Sequence, residues 1–278
     1  MKRIPLLVFL LVSFIAFSQD DTDRVVKAPE VKDGEGPYTQ LIIRGVTMIN
    51  GTGAPPIGPV DVVVKQNKIV SVSNVGFPGV PINDARRPKL ETGGREIDGT
   101  GHYLLPGFVD MHGHIGGSQA PFAEYVFKLW MAHGITTIRD PSAGNGLQWV
   151  LDEKKLSEQN KITAPRIKAY TVFGQGAKEP ISTPEQAKAW VNENKAKGAD
   201  GIKFFGAAPD IMDAALRENK KLGLRSACHH AQMDVARWNV VKSAEAGLTT
   251  MEHWYGLPEA MFTSQTIQNY PLNYNYAN

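Results

Sequence analysis

The sequence predicts an α/β protein: an incomplete (β/α)8 TIM-like barrel of about six βα units, preceded by a small β-sandwich-type unit. From residue 101 onward, short apolar runs alternate with helix-like segments, and the runs end near positions 114, 140, 173, 203, 229 and 253. A barrel of roughly 250 residues in eight units advances about 31 residues per unit, which matches this spacing. The region before it, residues 41–100, shows short β-type runs and turn signals instead.

The first 19 residues are typical of a cleaved signal peptide, which predicts a secreted or periplasmic protein. Lys2-Arg3 gives a basic start, the apolar run Ile4–Phe17 follows, and Ala16-Phe17-Ser18 offers a small-x-small cleavage pattern. The run has 14 residues, fewer than the ~20 that a membrane-crossing helix needs, so we expect no stable membrane anchor. Residues 20–40 are polar and rich in Asp, Lys, Gly and Pro, which predicts a flexible leader.

Composition narrows the class of partner. The chain is 42% hydrophobic and 21% charged, ordinary values for a globular protein with a large core. Removal of residues 1–19 lowers Lys+Arg from 30 to 28, equal to the 28 Asp+Glu, and a neutral mature chain indicates no nucleic-acid partner. The single cysteine, Cys228, predicts no internal disulfide. The oligomeric state stays open, a homo-oligomer included.

Residues 41–100 predict a small N-terminal β domain. The run Leu41–Ile49 is typical of a strand, and residues 60–72 alternate in the manner of a hairpin with its turn at Gln66-Asn67. Residues 76–96 contain several Gly and Pro and predict a loop that ends in 95–98.

Residues 101–278 predict the partial barrel. Thr183 followed by Pro184 marks the start of one crossover helix, and a second, Ile211–Leu222, is closed by Gly223. The expected strands are Tyr103–Met111, Gly134–Ile138, Arg166–Phe173, Gly201–Phe205, Leu224–Cys228 and Leu248–Met251. Only 25 residues follow His253, whereas two more units would need about 60, so we expect an N-terminal fragment that stops before the barrel is complete.

Histidines recur at the ends of the predicted barrel strands. His112 and His114 end the first strand, His229 and His230 follow the fifth, and His253 follows the sixth. Functional groups of such barrels lie at these carboxyl ends, and residues two apart in a strand point to the same side. Neutral imidazoles suit zinc or a related divalent metal. The pattern therefore predicts metal binding in the intact protein.

The motifs resemble those of the amidohydrolase superfamily, in its imidazolonepropionase- and prolidase-like branch. Residues 103–114 are similar to the signature that opens the barrel of that superfamily, and 134–140, 201–203 and 246–253 match later motifs in order and spacing. The resemblance covers about residues 41–255. It implies a metal-dependent hydrolase that uses metal-activated hydroxide on the carbon–nitrogen bonds of amides, cyclic amides or peptides.

The resemblance also implies a role for each matched position. His112 and His114 would bind the first of two zinc ions, and His229 and His253 the second. Lys203, carboxylated on its amine, would bridge the two ions. The catalytic carboxylate of the family is an Asp at the end of the eighth strand. No residue of this sequence can be matched to it, so we expect it beyond Asn278, and the catalytic residue stays unknown. The substrate would be a small molecule or a short peptide of undetermined identity.

Several alternatives stay open at this stage. Lys203 could be an ordinary cation whose stem covers apolar surface, which would make the protein a mononuclear hydrolase or deaminase of the same superfamily. His230 competes with His229 as the ligand from the fifth strand. Trp254 and Tyr255 fit either a substrate pocket or aromatic packing. A chain with an open sheet could also be an inactive truncated fragment, because exposed strand edges favour aggregation.

Overall fold

A computed structural model describes residues 36–117, 122–231, 234–235 and 237–261. The signal peptide expected at 1–19, most of the leader expected at 20–40 and the tail from 262 to Asn278 lie outside these residues. Eleven strands and six α-helices occur in the described part. The strands are β1 (Leu41–Met48), β2 (Ile57–Lys65), β3 (Lys68–Asn74), β4 (Arg95–Asp98), β5 (Tyr103–Leu104), β6 (Phe108–Asp110), β7 (Ile135–Asp140), β8 (Arg166–Val172), β9 (Gly201–Phe204), β10 (Arg225–Cys228) and β11 (Thr250–Met251). The helices are α1 (Ala123–Ala132), α2 (Leu147–Glu158), α3 (Pro184–Lys197), α4 (Pro209–Lys221), α5 (Val240–Ala246) and α6 (Leu257–Ala260).

The first five strands form one mixed sheet in the order β3-β2-β1-β4, with β5 also paired to β1. The β2–β3 hairpin is antiparallel, as its alternating pattern predicted, and Gln66 adopts a positive φ of 54° in the turn. Strands β4 and β5 pair parallel to β1. The β-sandwich-type unit expected here is not confirmed, because the described strands make a single sheet. Val46, Val60 and Val62 form its small core.

Two segments of this region differ from the sequence-based expectation. Residues 95–98 form strand β4, although the Gly- and Pro-rich stretch before them predicted a loop. Their pairing depends on backbone hydrogen bonds to β1 and to the residue before it, such as Arg95 N to Gln40 O, and such bonds leave no periodic pattern in a four-residue segment. The expected strand Tyr103–Met111 is divided into β5, which belongs to the first sheet, and β6, which begins the second. Pro106-Gly107 separates the two pieces.

The remaining six strands form a second sheet in the order β11-β10-β9-β8-β7-β6, and every neighbouring pair is parallel. This confirms the α/β architecture and the six repeated units that the strand spacing predicted. Strands β6 and β11 are the two edges of this sheet. The expected strand positions hold to within two residues at most ends, the sixth being shortened to Thr250–Met251.

Helices cover one face of the second sheet. Ile202 and Phe204 of β9 pack in an apolar cluster with Trp190 of α3 and Met212 of α4. Because side chains alternate along a strand, Lys203 between them faces the opposite side of the sheet. Ile138 of β7 likewise lies in a cluster with residues of α1 and α2. The face without these helices is therefore the one that receives charged side chains.

The two crossover helices foreseen from the sequence begin and end close to where they were expected. The Thr183 side chain accepts from the backbone N–H of Gln186, and the Gln186 side chain accepts from the Thr183 backbone, so that the two residues form a capping box. Helix α4 ends at Lys221, and Gly223 beyond it has a φ of +68°, a conformation that glycine adopts without strain. Within the described residues, no helix combines the length and the apolar character needed to span a bilayer.

Candidate metal centre

The carboxyl-terminal ends of the parallel strands bring the predicted site residues to one region. His112 and His114 follow β6, His229 follows β10, and His253 follows β11. The ring centroids of His112 and His114 are 4.9 Å apart, those of His112 and His253 are 4.5 Å apart, and those of His253 and His229 are 4.9 Å apart. Four imidazoles from three strands thus form a continuous cluster. We call these four residues the histidine cluster.

Curvature of the sheet is what allows the histidine cluster to form. Strands β6 and β11 lie at opposite edges of six parallel strands, and in a flat sheet these edges would be about 24 Å apart. In the structure the ring of His112, beyond β6, contacts that of His253, beyond β11. The sheet therefore curls so that its two edge strands approach each other at their carboxyl ends.

The Nδ1 atoms of His112 and His114 are both occupied by oxygen partners. Nδ1 of His112 contacts the Glu252 carboxylate, and Nδ1 of His114 lies 2.9 Å from the hydroxyl of Ser142 and 3.8 Å from an Asp140 oxygen. A carboxylate only accepts hydrogen bonds, so in a neutral His112 the proton resides on Nδ1 and the lone pair on Nε2. Metal-ligating histidines characteristically use one nitrogen for the ion and the other for such an oxygen.

A buried ion pair, Arg139–Glu252, lies directly behind the histidine cluster. Arg139 donates to both oxygens of Glu252 at 2.8 and 2.9 Å, and the two residues are 5% and 6% exposed. Thr250 donates from its hydroxyl to the same carboxylate at 2.9 Å. The sequence predicts neither residue of the pair as a site residue, although they lie within the matched motifs 134–140 and 246–253. Their position one residue before a strand-end group was the available signal.

Lys203 is buried in the middle of β9, with 2% of its surface exposed. Burial lowers the pKa of its amine, while the charge of Glu252 opposes that change. The positive charge of Lys203 in turn contributes to lowering the pKa values of His114, His229 and His253, after the larger effect of burial. Lys203 and these histidines therefore share one electrostatic environment.

The two histidines after β10 occupy different surroundings. His229 is half-buried, with its ring centroid 4.9 Å from that of His253, and burial followed by the charge of His253 lowers its pKa to about 4. His230 is 3% exposed, its Nε2 lies 2.9 Å from the Ser243 hydroxyl, and its Nδ1 has no partner among the described residues. Geometry thus favours His229 over His230 as the member of the histidine cluster, and the ligand assignment itself stays a prediction.

The chemistry of the donor set fits a divalent metal. Burial lowers the pKa values of His114, His229 and His253, which favours the neutral imidazole, the form that binds zinc. In the part of the chain that the structure describes, no three His, Cys, Asp or Glu side chains already surround a single point as ligands of one ion. The residues fit a divalent metal in their chemical types, in their protonation and in the oxygen partners of the Nδ1 atoms of His112 and His114. They do not yet form a complete coordination geometry.

The catalytic carboxylate implied by the family resemblance has no counterpart among the described residues. The resemblance implies an Asp at the end of an eighth strand, and the described part of the second sheet ends with its sixth strand, β11. Glu252, the carboxylate nearest to the histidine cluster, is already engaged by Arg139, Thr250 and His112. The position of the catalytic Asp beyond Asn278 therefore stays a prediction.

Aromatic side chains line one side of the histidine cluster. The Phe205 ring is 5.3 Å and the Tyr255 ring 5.1 Å from that of His229, and Trp254 stacks on Tyr255 at 5.3 Å. Trp254 is 64% exposed and has a φ of +101°, which costs a non-glycine residue energy that packing must offset. The sequence left open whether Trp254 and Tyr255 line a pocket or only pack, and the contacts show that they border the histidine cluster.

The buried position of His230 predicts a pH dependence of stability. Burial lowers the pKa of His230 to about 4, whereas in the unfolded chain it is about 6.5, so that between these values the unfolded state binds more protons. The free energy of unfolding of the metal-free protein should therefore fall as the pH is lowered from about 6.5 to about 4, with His230 contributing about 3 kcal/mol. Denaturant titrations across this range measure the slope.

His230→Gln is the informative variant for this prediction, because it removes the titrating group from the same buried position. Its unfolding free energy should depend less on pH than that of the wild type. His133→Gln is the matched control, since it makes the same substitution at an exposed position at the end of α1. Equal slopes for wild type and His230→Gln would contradict the assignment.

Several curated proteins are similar in sequence to parts of this chain. An adenine deaminase of Bacillus licheniformis is 26% identical over 218 residues, which are 72% of this chain and 36% of that protein. An adenine deaminase of Bacillus velezensis is 31% identical over 200 residues, 66% of this chain and 34% of that protein. An N-acyl-D-aspartate deacylase of Alcaligenes xylosoxydans is 34% identical over 145 residues, 52% of this chain and 26% of that protein. The chain thus spans about a third or less of the length of these relatives.

Solved structures show the same fold. A Xaa-Pro dipeptidase with bound methionine superposes with a TM-score of 0.54 at 22% identity, covering 77% of this chain and 61% of that one. A protein described as an amidohydrolase gives a TM-score of 0.57 at 17% identity, again covering 77% and 61%. Molinate hydrolase gives 0.56 at 18% identity, covering 77% and 57%.

No protein-family model matches the chain. The curated relatives are nevertheless deaminases, deacylases and deacetylases, enzymes that hydrolyse carbon–nitrogen bonds. Together with the shared fold, these relatives support the prediction from sequence motifs that the chain is a member of the amidohydrolase superfamily.

Proposed function

We propose that this chain carries the metal centre of a hydrolase that cleaves carbon–nitrogen bonds in small molecules or short peptides. The observation that carries the proposal is the histidine cluster, in which four imidazoles from three strands lie with neighbouring ring centroids 4.5–4.9 Å apart. The buried Lys203 acts electrostatically on three of these rings. Relatives named as deaminases and deacylases support the class of reaction. Whether the bond belongs to an amide, a cyclic amide or an exocyclic amine depends on the rest of the substrate pocket.

The finer fold proposal is that the six parallel strands are part of a (β/α)8 barrel. The curl of the sheet supports it, because it brings the carboxyl ends of the edge strands β6 and β11 together. In barrels of this kind the active site occupies the carboxyl-terminal face. The histidine cluster occupies the corresponding end of this sheet.

Two zinc ions are the proposed cofactors. His112 and His114 would hold the first ion through Nε2, since their Nδ1 atoms face Glu252 and Ser142, and His229 and His253 would hold the second. When bound, such ions supply Lewis-acid polarisation of the scissile group and a water of lowered pKa. The chain itself contributes neutral imidazoles, fixed ring orientations and the aromatic border.

Lys203 is the proposed bridge between the ions, after carboxylation. Its neutral amine forms a bond to the carbon of carbon dioxide, one carbon–oxygen π bond becomes a carboxylate, and the amine releases one proton. Burial lowers the pKa of Lys203 and so favours the neutral amine that this step requires. The product is an anion on the face of β9 that faces away from the helices.

A site with a single ion is the second candidate, and one observation favours it. Nζ of Lys203 lies 5.5 Å from the centroid of the Phe205 ring, a position in which an unmodified ammonium group is stabilised. In that arrangement Lys203 would remain a cation and would not contact the metal. The two candidates differ in the charge of Lys203 and in the number of ions.

Metal loading tests the proposed centre. The purified chain should bind about two zinc ions by elemental analysis, and in the intact protein removal of zinc with a chelator should abolish hydrolysis of a panel of N-acyl amino acids, Xaa-Pro dipeptides and aminopurines. His114→Ala and His253→Ala should each lose bound zinc because they remove a ligand. His133→Ala, outside the cluster, should retain it. Hydrolysis that persists in the zinc-free protein would refute the proposal.

Substitution of Lys203 distinguishes the proposed two-ion site from the single-ion site. If it is a carboxylated bridge, Lys203→Ala should lose about one zinc ion, and isotopically labelled bicarbonate should produce a carbamate signal in the NMR spectrum of the wild type only. Added short-chain carboxylates should restore part of the lost zinc binding, since they replace the missing anion. A zinc content of about one ion in both the wild type and Lys203→Ala, with no carbamate signal in the wild type, would support the single-ion site.

Export is a further part of the proposal, and it rests on the basic start and apolar run of residues 1–19. Expression of the full sequence should yield a periplasmic or secreted product whose amino terminus lies near Gln19. Replacement of Leu10 by Arg would interrupt the apolar run and should keep the product inside the cell. Cell fractionation with sequencing of the mature amino terminus measures both, and an unprocessed cytoplasmic wild type would contradict export.

A further inference from the structure

The guanidinium group of Arg139 contacts both the segment that carries His112 and the segment that carries His253. Arg139 donates from Nε to the backbone carbonyl of Met111, the residue before His112, at 2.5 Å. It donates from its terminal nitrogens to the hydroxyl of Thr250 at 2.8 Å and to the carboxylate of Glu252, the residue before His253. Arg139 therefore connects the end of β6 to the end of β11.

Glu252 extends this connection to the imidazole ring of His112. Its carboxylate accepts from Arg139 and Thr250 and also contacts Nδ1 of His112, a residue 140 positions earlier in the chain. The contact determines both which nitrogen of His112 is available to an ion and the direction in which the ring points. Glu252 thus acts on a ligand that follows the opposite edge strand from its own.

We propose that Arg139 and Glu252 form a positioning clamp that sets the ligand nitrogen of His112 and the separation between the His112–His114 pair and His253. This inference rests on the proposed metal function. Neither residue of the clamp touches an ion or a substrate in this scheme, so both are positioning residues. The clamp holds together two groups of ligands that no backbone ladder joins, because β6 and β11 are not paired in the sheet.

A contribution to stability is a weak explanation for the buried ion pair Arg139–Glu252. Two charges lose their hydration when they are buried, and apolar side chains of similar volume often stabilise a fold as well or better. Removal of one partner leaves the other charge buried and uncompensated, so single variants would confuse misfolding with misplacement of the ligands. The informative comparison removes both charges at once and changes only the acceptor for Nδ1 of His112.

Two double variants make that comparison. Arg139→Met with Glu252→Gln, the acceptor-retaining variant, is neutral and keeps a carbonyl oxygen that can accept from His112. Arg139→Met with Glu252→Met, the methionine pair, is neutral and has no acceptor. The methionine pair should bind zinc about 10–100-fold more weakly than the acceptor-retaining variant, the usual effect of losing an oxygen partner of a ligating histidine. Zinc affinity is measured by competition with a chromophoric chelator.

A second readout does not depend on metal. Nitrogen chemical shifts of histidine in the zinc-free protein report the tautomer of each ring, and His112 should carry its proton on Nδ1 in the wild type and in the acceptor-retaining variant. In the methionine pair His112 should populate both tautomers. Circular dichroism and thermal melting establish that both double variants fold.

The outcomes separate the clamp from the proposed function. Equal zinc affinities and equal His112 tautomers in two folded double variants, with zinc bound tightly by the wild type, would overturn the clamp and leave the metal function intact. A wild type that holds the His112 tautomer but binds no zinc would overturn the metal function, and with it the purpose assigned to the clamp. Weaker zinc binding by the methionine pair together with a mixed tautomer supports both.

Discussion

The ion pair Arg139–Glu252 is the interaction on which the arrangement of the site depends. Its partners belong to β7 and to the end of β11, strands that stand four places apart and would be separated by about 19 Å in a flat sheet. Hydrogen bonds of 2.8 and 2.9 Å between their side chains require the sheet to curl. The same curl brings His253 to His112, so the ion pair and the histidine cluster lie at the same bend of the sheet.

The alternation of side chains along the strands explains why polar groups gather on the inner side of that bend. Ile202 and Phe204 pack against helices, and Lys203 between them must face the other way. Ile138 packs against helices as well, which directs Arg139 inward beside it. Because side chains alternate along each strand, the apolar residues pack against the helices outside, and the polar residues face the inner side of the bend.

Much of this could be predicted from the sequence, for a physical reason. A parallel strand covered by helices is apolar along its length, and a polar residue such as His229 directly after such a run marks its carboxyl end. The predicted positions His112, His114, His229 and His253 do lie together. Their roles as ligands go beyond what position alone can establish, because a ligand role depends on the ion as well as on the ring.

Features that depend on contacts between distant segments could not be foreseen. Arg139 and Glu252 are 113 residues apart, and nothing near either residue indicates the other. Strand β4 likewise exists because β1 offers it a free edge, and four residues carry too little periodicity to reveal it. The association of the first five strands in one sheet of the described residues has the same origin, since strand pairing is not encoded in a local pattern.

The charge of Lys203 affects whether divalent ions can bind beside the histidine cluster. Arg139 and Glu252 compensate each other, whereas the positive charge of a protonated Lys203 contributes to lowering the pKa values of His114, His229 and His253. Divalent ions placed next to that ammonium would be repelled, and the repulsion is strong where water is excluded. Conversion of Lys203 to a carbamate changes its charge from +1 to −1 and turns the repulsion into attraction. A protonated Lys203 would therefore disfavour the binding of divalent ions beside it, whereas a carbamate would favour it.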